Sequence, residues 1–213
     1  VGTRERRERE KLETREKILA AAREMFAEEG VDSVTMREIA KRIEYTSTAI
    51  YHHFPSKQAL LTELCECDYA GLHEHFQHNV AAEDPVERLK QLGMAYLRFA
   101  QEHPSHYRFM FMTVLPDLAM SPGFVESNIM NPERNAYAIL RDTCAEAIGQ
   151  QRFRPEITDA DELAQILWSM IHGLISLQFA KSHQHFVPWK DLTGTTATAM
   201  EILFRGLLRE SNS

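Results

Sequence analysis

The segment from Thr35 to Lys57, TMREIAKRIEYTSTAIYHHFPSK, constrains this chain more than any other, because it holds two short helical stretches parted by a tight turn and followed by a third helix start. Thr35 and Glu38 have the T-x-x-E spacing of a capping box, in which each side chain satisfies a backbone N–H of the first turn that the helix leaves without a partner. Ile39 and Ile43, four residues apart, give that helix one apolar stripe, while Lys41 and Arg42 point elsewhere. Thr46 offers a second N-cap. In the helix after it, Ala49, Ile50 and Phe54 supply the inward contacts, and Ser47, Thr48, Tyr51 and His52 are small or hydrogen-bonding. This is the pattern of a helix-turn-helix whose second helix turns a polar face to a DNA groove.

The rest of the chain has helical period almost throughout, and no alternation of β-branched residues between turn signals appears, so the predicted fold is all-α. Thr14 can cap a helix that turns Ile18, Ala22, Met25 and Phe26 inward and ends at Gly30. Ser56 can cap a long fourth helix from about Lys57 to Val80, with Leu60, Leu61, Leu64, Leu72 and Phe76 as its buried stripe. Asp84-Pro85 starts a helix to about Glu102, and Pro104 starts another. Ser121-Pro122 gives the start signal for a helix containing Tyr137, Ile139, Leu140 and Ile148 and stopping near Gly149. Thr158 precedes a helix from about Asp159 to Lys181 that is apolar on more than one side, through Leu163, Leu167, Met170 and Leu174 and through Trp168, His172, Ile175 and Phe179. The last helix, about Thr195 to Arg209, lines up Met200, Leu203, Phe204, Leu207 and Leu208, which can pair with a neighbour or across a dimer. No repeat or long linker is visible, so the division falls at the start of helix four. It gives an N-terminal arm and helix-turn-helix domain over residues 1–57 and a larger helical domain over 58–213.

Charge is informative only when divided along that boundary. The whole chain carries a net charge of −7, but residues 1–57 hold 12 Lys and Arg against 11 Asp and Glu, leaving 12 against 20 in the remainder. The acid is concentrated in the second part, which leaves the first part free to approach phosphates. No stretch approaches the roughly 20 uninterrupted apolar residues of a spanning helix. The mixed-charge N-terminus lacks the apolar core of a secretory signal, so a cytoplasmic protein with no membrane contact is expected. Three cysteines, Cys65, Cys67 and Cys144, without C-x-x-C spacing point to reduced thiols.

The ordered set Thr14 to Ala22, Phe26-Ala27, Gly30, Ser33 to Met36, Ile39-Ala40 and Tyr51-His52-His53-Phe54-Pro55-Ser56-Lys57 resembles the DNA-binding domain of the TetR family of bacterial transcriptional repressors. A sparser set, His103-Pro104, Tyr107, Met110, Phe111 and Trp168 with His172-Gly173, resembles the ligand-binding domain of a TetR subgroup with a Trp…His-Gly signature. At the turn the chain departs from the family, with Glu44-Tyr45 where a glycine and a small aliphatic residue are usual. A non-glycine residue at positive φ costs about 1 kcal/mol. Either Glu44 bears that strain or the turn is reshaped, and Tyr45, too large for a valine-sized cavity, lies across the surface toward DNA.

The resemblance implies a homodimer at a near-palindromic operator in double-stranded DNA, acting as a repressor and released when a small effector shifts helix four. It places Thr35, Arg37, Tyr45, Thr46, Ser47, Thr48, Tyr51, His52 and Lys57 at the DNA, with Tyr51, His52 and Lys57 on phosphates and Ser47 or Thr48 near base edges. Tyr107, Met110, Phe111, Trp168, His172 and Phe179 are the candidate ligand residues, and they suit a mostly apolar effector. No cofactor and no metal is expected.

Three further groups have rival readings. Arg4, Arg6, Arg7 and Arg9, interleaved with Glu5, Glu8 and Glu10, form either a minor-groove arm or a solvated helical extension. His73-Glu74 begins an H-E-x-x-H pattern that fails at Gln77, so His73, His75 and His78 read as surface histidines rather than metal ligands. A helical-bundle enzyme is disfavoured because G-x-S-x-G, G-x-G-x-x-G and a complete H-E-x-x-H are all absent. A helical small-molecule carrier with an inactive helix-turn-helix has only Glu44-Tyr45 in its favour.

Overall fold

The computed structural model describes residues 2–115, 131, 135–182, 184 and 187–209. Among them are nine helices: α1 (Thr3–Glu29), α2 (Met36–Arg42), α3 (Ser47–His53), α4 (Lys57–Asn79), α5 (Pro85–Glu102), α6 (Pro104–Met112), α7 (Ala136–Gly149), α8 (Ala160–Lys181) and α9 (Leu192–Leu207). The fold is all-α, as the periodicity predicts, and the described residues add only an isolated antiparallel bridge between Phe153 and Leu208.

Most helix boundaries follow the local capping chemistry. Thr35 accepts from the Glu38 N–H while the Glu38 carboxylate accepts from the Thr35 N–H at 2.8 Å, a closed capping box at the start of α2. Asp84 Oδ1 accepts from the N–H groups of Val86 and Glu87, so α5 starts at Pro85. Where the sequence reading differs, a competing cap or helix-stabilising pair explains it. Helix α1 begins at Thr3 rather than near Thr14, whose hydroxyl instead donates to the Glu10 carbonyl at 2.8 Å inside the helix. The upstream turns are held by the i,i+4 pairs Arg4–Glu8, Arg6–Glu10 and Arg9–Glu13. Asp159, not Thr158, caps α8, and Asp191 starts α9 at Leu192, ahead of the predicted Thr195. The predicted start at Ser121-Pro122 lies outside the described residues, and α7 has its own cap in Asn135.

The chain divides into two compact units, one of Val1–Tyr69 with His103–Met130 and the other of Ala70–Glu102 with Asn131–Ser213. In the first, α6 packs on α1, and α1, α2 and α3 close around Ile18, Phe26, Val34, Ile39, Ile50 and Phe54, all buried. Tyr107 and Phe109 of α6 are also fully buried there, with the Phe109 ring 6.2 Å from that of Phe26. In the second, α8 packs against α5, α7 and α9. A Cβ at Gly93 of α5 would stand 2.6 Å from Ile171 Cδ1 and 2.9 Å from Met200 Sδ, so glycine is what lets α5 lie this close to α8 and α9. By length and composition alone α8 could cross a membrane, with a mean hydropathy of 1.3 over its most apolar window, but three neighbouring helices account for one broad apolar side of it.

Candidate nucleic-acid interface

The turn between α2 and α3 keeps the left-handed step that glycine would make: Glu44 has φ 61°. Its N–H donates to the Lys41 carbonyl at 3.2 Å and the Tyr45 N–H donates to the Ala40 carbonyl at 2.9 Å, so the bonds that end α2 are in place and the turn is not reshaped. The Tyr45 side chain lies on the surface, about a third exposed at 37%. Thr46 then caps α3, accepting from the Ala49 N–H at 3.2 Å. With Ile50 and Phe54 buried, Thr48, Tyr51 and His52 are left exposed along the outer face of α3, and Ser47 is half-buried at its first turn. Thr35 and Arg37 are exposed at the start of α2.

Two cations brace this element from within the first unit. Arg15 of α1 donates to the His53 carbonyl at 2.9 Å, pairs with Glu63 of α4 and lies 4.3 Å from the centre of the Phe54 ring. It thereby ties the C-terminal end of α3 to α1 and α4. Burial, aided by the positive charges of Arg15 and Lys11, holds the His53 imidazole below its usual pKa. Lys57 donates to the Val31 carbonyl, with its ammonium 5.8 Å from the centre of the Phe26 ring. The side chain assigned to phosphate by resemblance is thus turned to the loop after α1.

The candidate ligand residues fall into both units. In the first, Tyr107 and Met110 are buried, and Phe111 has ring contacts with Tyr107 at 5.4 Å and Tyr69 at 6.4 Å. In the second, Trp168 and His172 lie 6.1 Å apart, and the Tyr137 ring is 6.3 Å from Trp168. Phe179 is half-buried farther along α8. Tyr96 of α5, which the sequence does not single out, bonds His172 Nδ1 through its hydroxyl at 3.0 Å. Burial lowers the pKa of the half-buried His172, which favours the neutral imidazole. A groove of about 310 Å³ between α5 and α9 is lined by Lys90, Met94, Ala197, Met200, Phe204 and Leu208, with Glu201 and Arg205 beside them. It includes none of the six residues chosen from sequence.

Cys65 and Cys144 are buried thiols, each pushed up to about 12 chiefly by burial, and Cys67 is exposed. Of the histidines on α4, His73 is buried, His75 stands edge-on to Phe99, and His78 Nδ1 lies 2.8 Å from the Glu74 carbonyl.

The family description "Bacterial regulatory proteins, tetR family" matches residues 18–64, and "Tetracyclin repressor-like, C-terminal domain" matches residues 89–200. The chain belongs to the TetR family and is a transcriptional regulator, not an enzyme. It is similar to the HTH-type transcriptional repressor KstR2 of Mycobacterium tuberculosis (strain ATCC 25618 / H37Rv), with 29% identity over 144 residues, 67% of this chain and 70% of that protein. The solved structure of the ketosteroid transcriptional regulator KstR2 of Mycobacterium tuberculosis shares the fold at a TM-score of 0.72 and 24% identity, covering 92% of this chain and 96% of that one. So does NalD, the secondary repressor of the MexAB-OprM multidrug efflux pump in Pseudomonas aeruginosa, at a TM-score of 0.66 and 21% identity, covering 93% and 98%.

Proposed function

We propose that this regulator is a cytoplasmic repressor that binds a near-palindromic operator as a homodimer and leaves it when a small, mostly apolar effector binds. Residues 1–57 act as the DNA-binding part and residues 58–213 as the effector-binding and dimerisation part. The observation that carries the DNA reading is the α2–turn–α3 geometry: with Glu44 at φ 61° and Thr46 capping, α3 is held by Ile50 and Phe54 while Thr48, Tyr51 and His52 face outward. Tyr51 and His52 take phosphates, Ser47 and Thr48 approach base edges, and Thr35, Arg37, Tyr45 and Thr46 border the groove. Lys57 contributes by fixing the loop after α1 through Val31.

Two-fold pairing through α8 and α9 is supported by Ile166, Leu177 and Ile202, which are exposed, and by Gly173 and Gly206, whose faces have no atom within 4 Å of a Cβ position. Effector binding is supported by His172, a polar anchor bonded to the Tyr96 hydroxyl, with the Trp168 ring 6.1 Å away and the Tyr137 ring beyond it.

Selecting duplexes from a random-sequence library with the purified chain, then footprinting the winners, tests this reading. Two protected half-sites spaced by about one helical turn, or a multiple of it, are expected. Failure to enrich any sequence would sink it. Apolar compounds that raise the melting temperature are then expected to release the selected duplex.

A further inference from the structure

The first three turns of α1 do nothing for the core, since residues 4–13 are all exposed. Their helical phase is nonetheless specific. Ala22 and Ile18 mark the buried line of α1, and the same line continued at helical spacing passes through Arg15, Lys11, Arg7 and Arg4. It is apolar where α1 is covered and cationic where it is not. Arg15 marks the changeover, and because it donates to the His53 carbonyl, the line faces the side on which α3 ends. Arg4 and Arg15 are separated by about 16 Å of helix axis at 1.5 Å per residue.

The remaining charges are arranged differently. Arg6, paired with Glu10, and Arg9, paired with Glu13, lie on other sides of the helix and point away from that line. On the cationic line Arg4 has Glu8 and Arg15 has Glu63, whereas Arg7 and Lys11 have no ion pair among the described residues. Arg7, Lys11 and Arg15 stand four apart, so the helix stacks like charges, which repel. A row of such cations beside the end of a recognition helix is complementary to a phosphate backbone.

We propose that Arg4, Arg7 and Lys11 bind the phosphates of duplex DNA that flanks each half-site, so that α1 is a helical arm lengthening the protein's footprint without reading sequence. This rests on the operator-binding reading above. The arm contacts backbone only, so it adds affinity to any flanking sequence, and each phosphate neutralised steepens the salt dependence by about 0.9 in the log–log slope.

The test uses the full chain and a library-selected duplex in two lengths, trimmed to the half-sites or carrying ten random base pairs on each side. Wild type is expected to bind the long duplex at least tenfold more tightly at low salt. The variant Arg4→Gln/Arg7→Gln/Lys11→Gln is expected to lose that gain and to lower the slope by about 2 to 3. The control Arg6→Gln/Arg9→Gln removes two charges from the other sides and is expected to keep both. A triple variant with an undiminished slope and flank gain, or a control that loses as much, would overturn the arm while leaving operator binding intact. Wild-type protein that binds neither duplex would remove the operator reading and the arm with it.

Discussion

Arg23 of α1 grips Asp68 of α4 through both Nε and Nη2, at 2.7 to 3.0 Å, with the carboxylate entirely buried. His106 of α6 brings Nδ1 to 3.1 Å from the same carboxylate, so one buried group ties together three helices of the first unit. Removing Arg23 leaves the buried Asp68 carboxylate with His106 in place of a bidentate ion pair, and breaking such a pair costs about 3–5 kcal/mol, whereas replacing both members with apolar residues of like volume is close to neutral. Arg23→Ala is therefore expected to lower urea stability by that amount, and Arg23→Met/Asp68→Leu to recover most of it. A single variant as stable as wild type would show that the pair is solvated in solution.

Glu44 offers the opposite case, a position where the native residue is the strained one. Its φ of 61° is a region that a side chain disfavours and glycine does not. Glu44→Gly is expected to stabilise the chain by about 1 kcal/mol, the relief of strain offset in part by the greater freedom of glycine in the unfolded chain. Equilibrium urea denaturation reads this directly, and a lower midpoint would mean that the Glu44 side chain makes a stabilising contact in solution.

Lys57 and Tyr51 are both DNA-binding candidates by resemblance, but their surroundings differ. The Lys57 ammonium bonds the Val31 carbonyl, while Tyr51 is half exposed at 51%. Lys57→Ala is expected to lower stability by about 1 kcal/mol, and Tyr51→Phe to leave it unchanged, though both weaken operator binding. Denaturation midpoints set beside affinities in a salt series separate the two effects. Equal midpoints for both variants would return Lys57 to a purely phosphate-facing role.

Much of this was legible in sequence because helix caps are local. Thr35 with Glu38, Thr46, and Asp84 with Pro85 each announce a helix start within four residues, and each forms the expected bonds. The start of α1 was less legible, since Thr14 has the chemistry of a cap but the Arg–Glu pairs before it already stabilise helix. Tyr96 carried no signal at all. Its bond to His172 joins residues 76 apart, and nothing in either local pattern says that α5 and α8 become neighbours. The direction of Lys57 was hidden for the same reason, because the carbonyl it finds belongs to a loop 26 residues earlier.

The histidines give the chain an acid sensitivity of known sign. Burial holds His172, His73 and His53 below their ordinary value of 6.5, so the folded protein keeps them neutral where the unfolded chain would bind protons. The stability they support is complete above about pH 6.5 and is lost as pH falls from there through the lowered values. The urea midpoint is expected to fall between pH 7 and 5.5, and His172→Gln to reduce that fall while keeping a bonding partner for Tyr96. An unchanged slope in the variant would assign the acid sensitivity to the other histidines.

The proposed dimer surface can be drawn more finely than helix periodicity allows. Leu203 and Leu207 are half-buried on α9, whereas Ile166 and Leu177 on α8 and Ile202 on α9 are exposed at 45%, 52% and 68%. Ile166, Gly173 and Leu177 share one line of α8 at spacings of seven and four, and Gly173 leaves that line open for close approach. Leu177→Glu/Ile202→Glu would set two carboxylates into the core of a two-fold interface, where each meets its own copy or lies close to it. The variant is expected to sediment as a monomer, keep its helical circular dichroism and lose operator affinity at least tenfold, since a monomer reaches only one half-site. Leu203→Glu, aimed inward, is expected to lower stability instead. A Leu177→Glu/Ile202→Glu protein that still sediments as a dimer would show that the copies pair through another face.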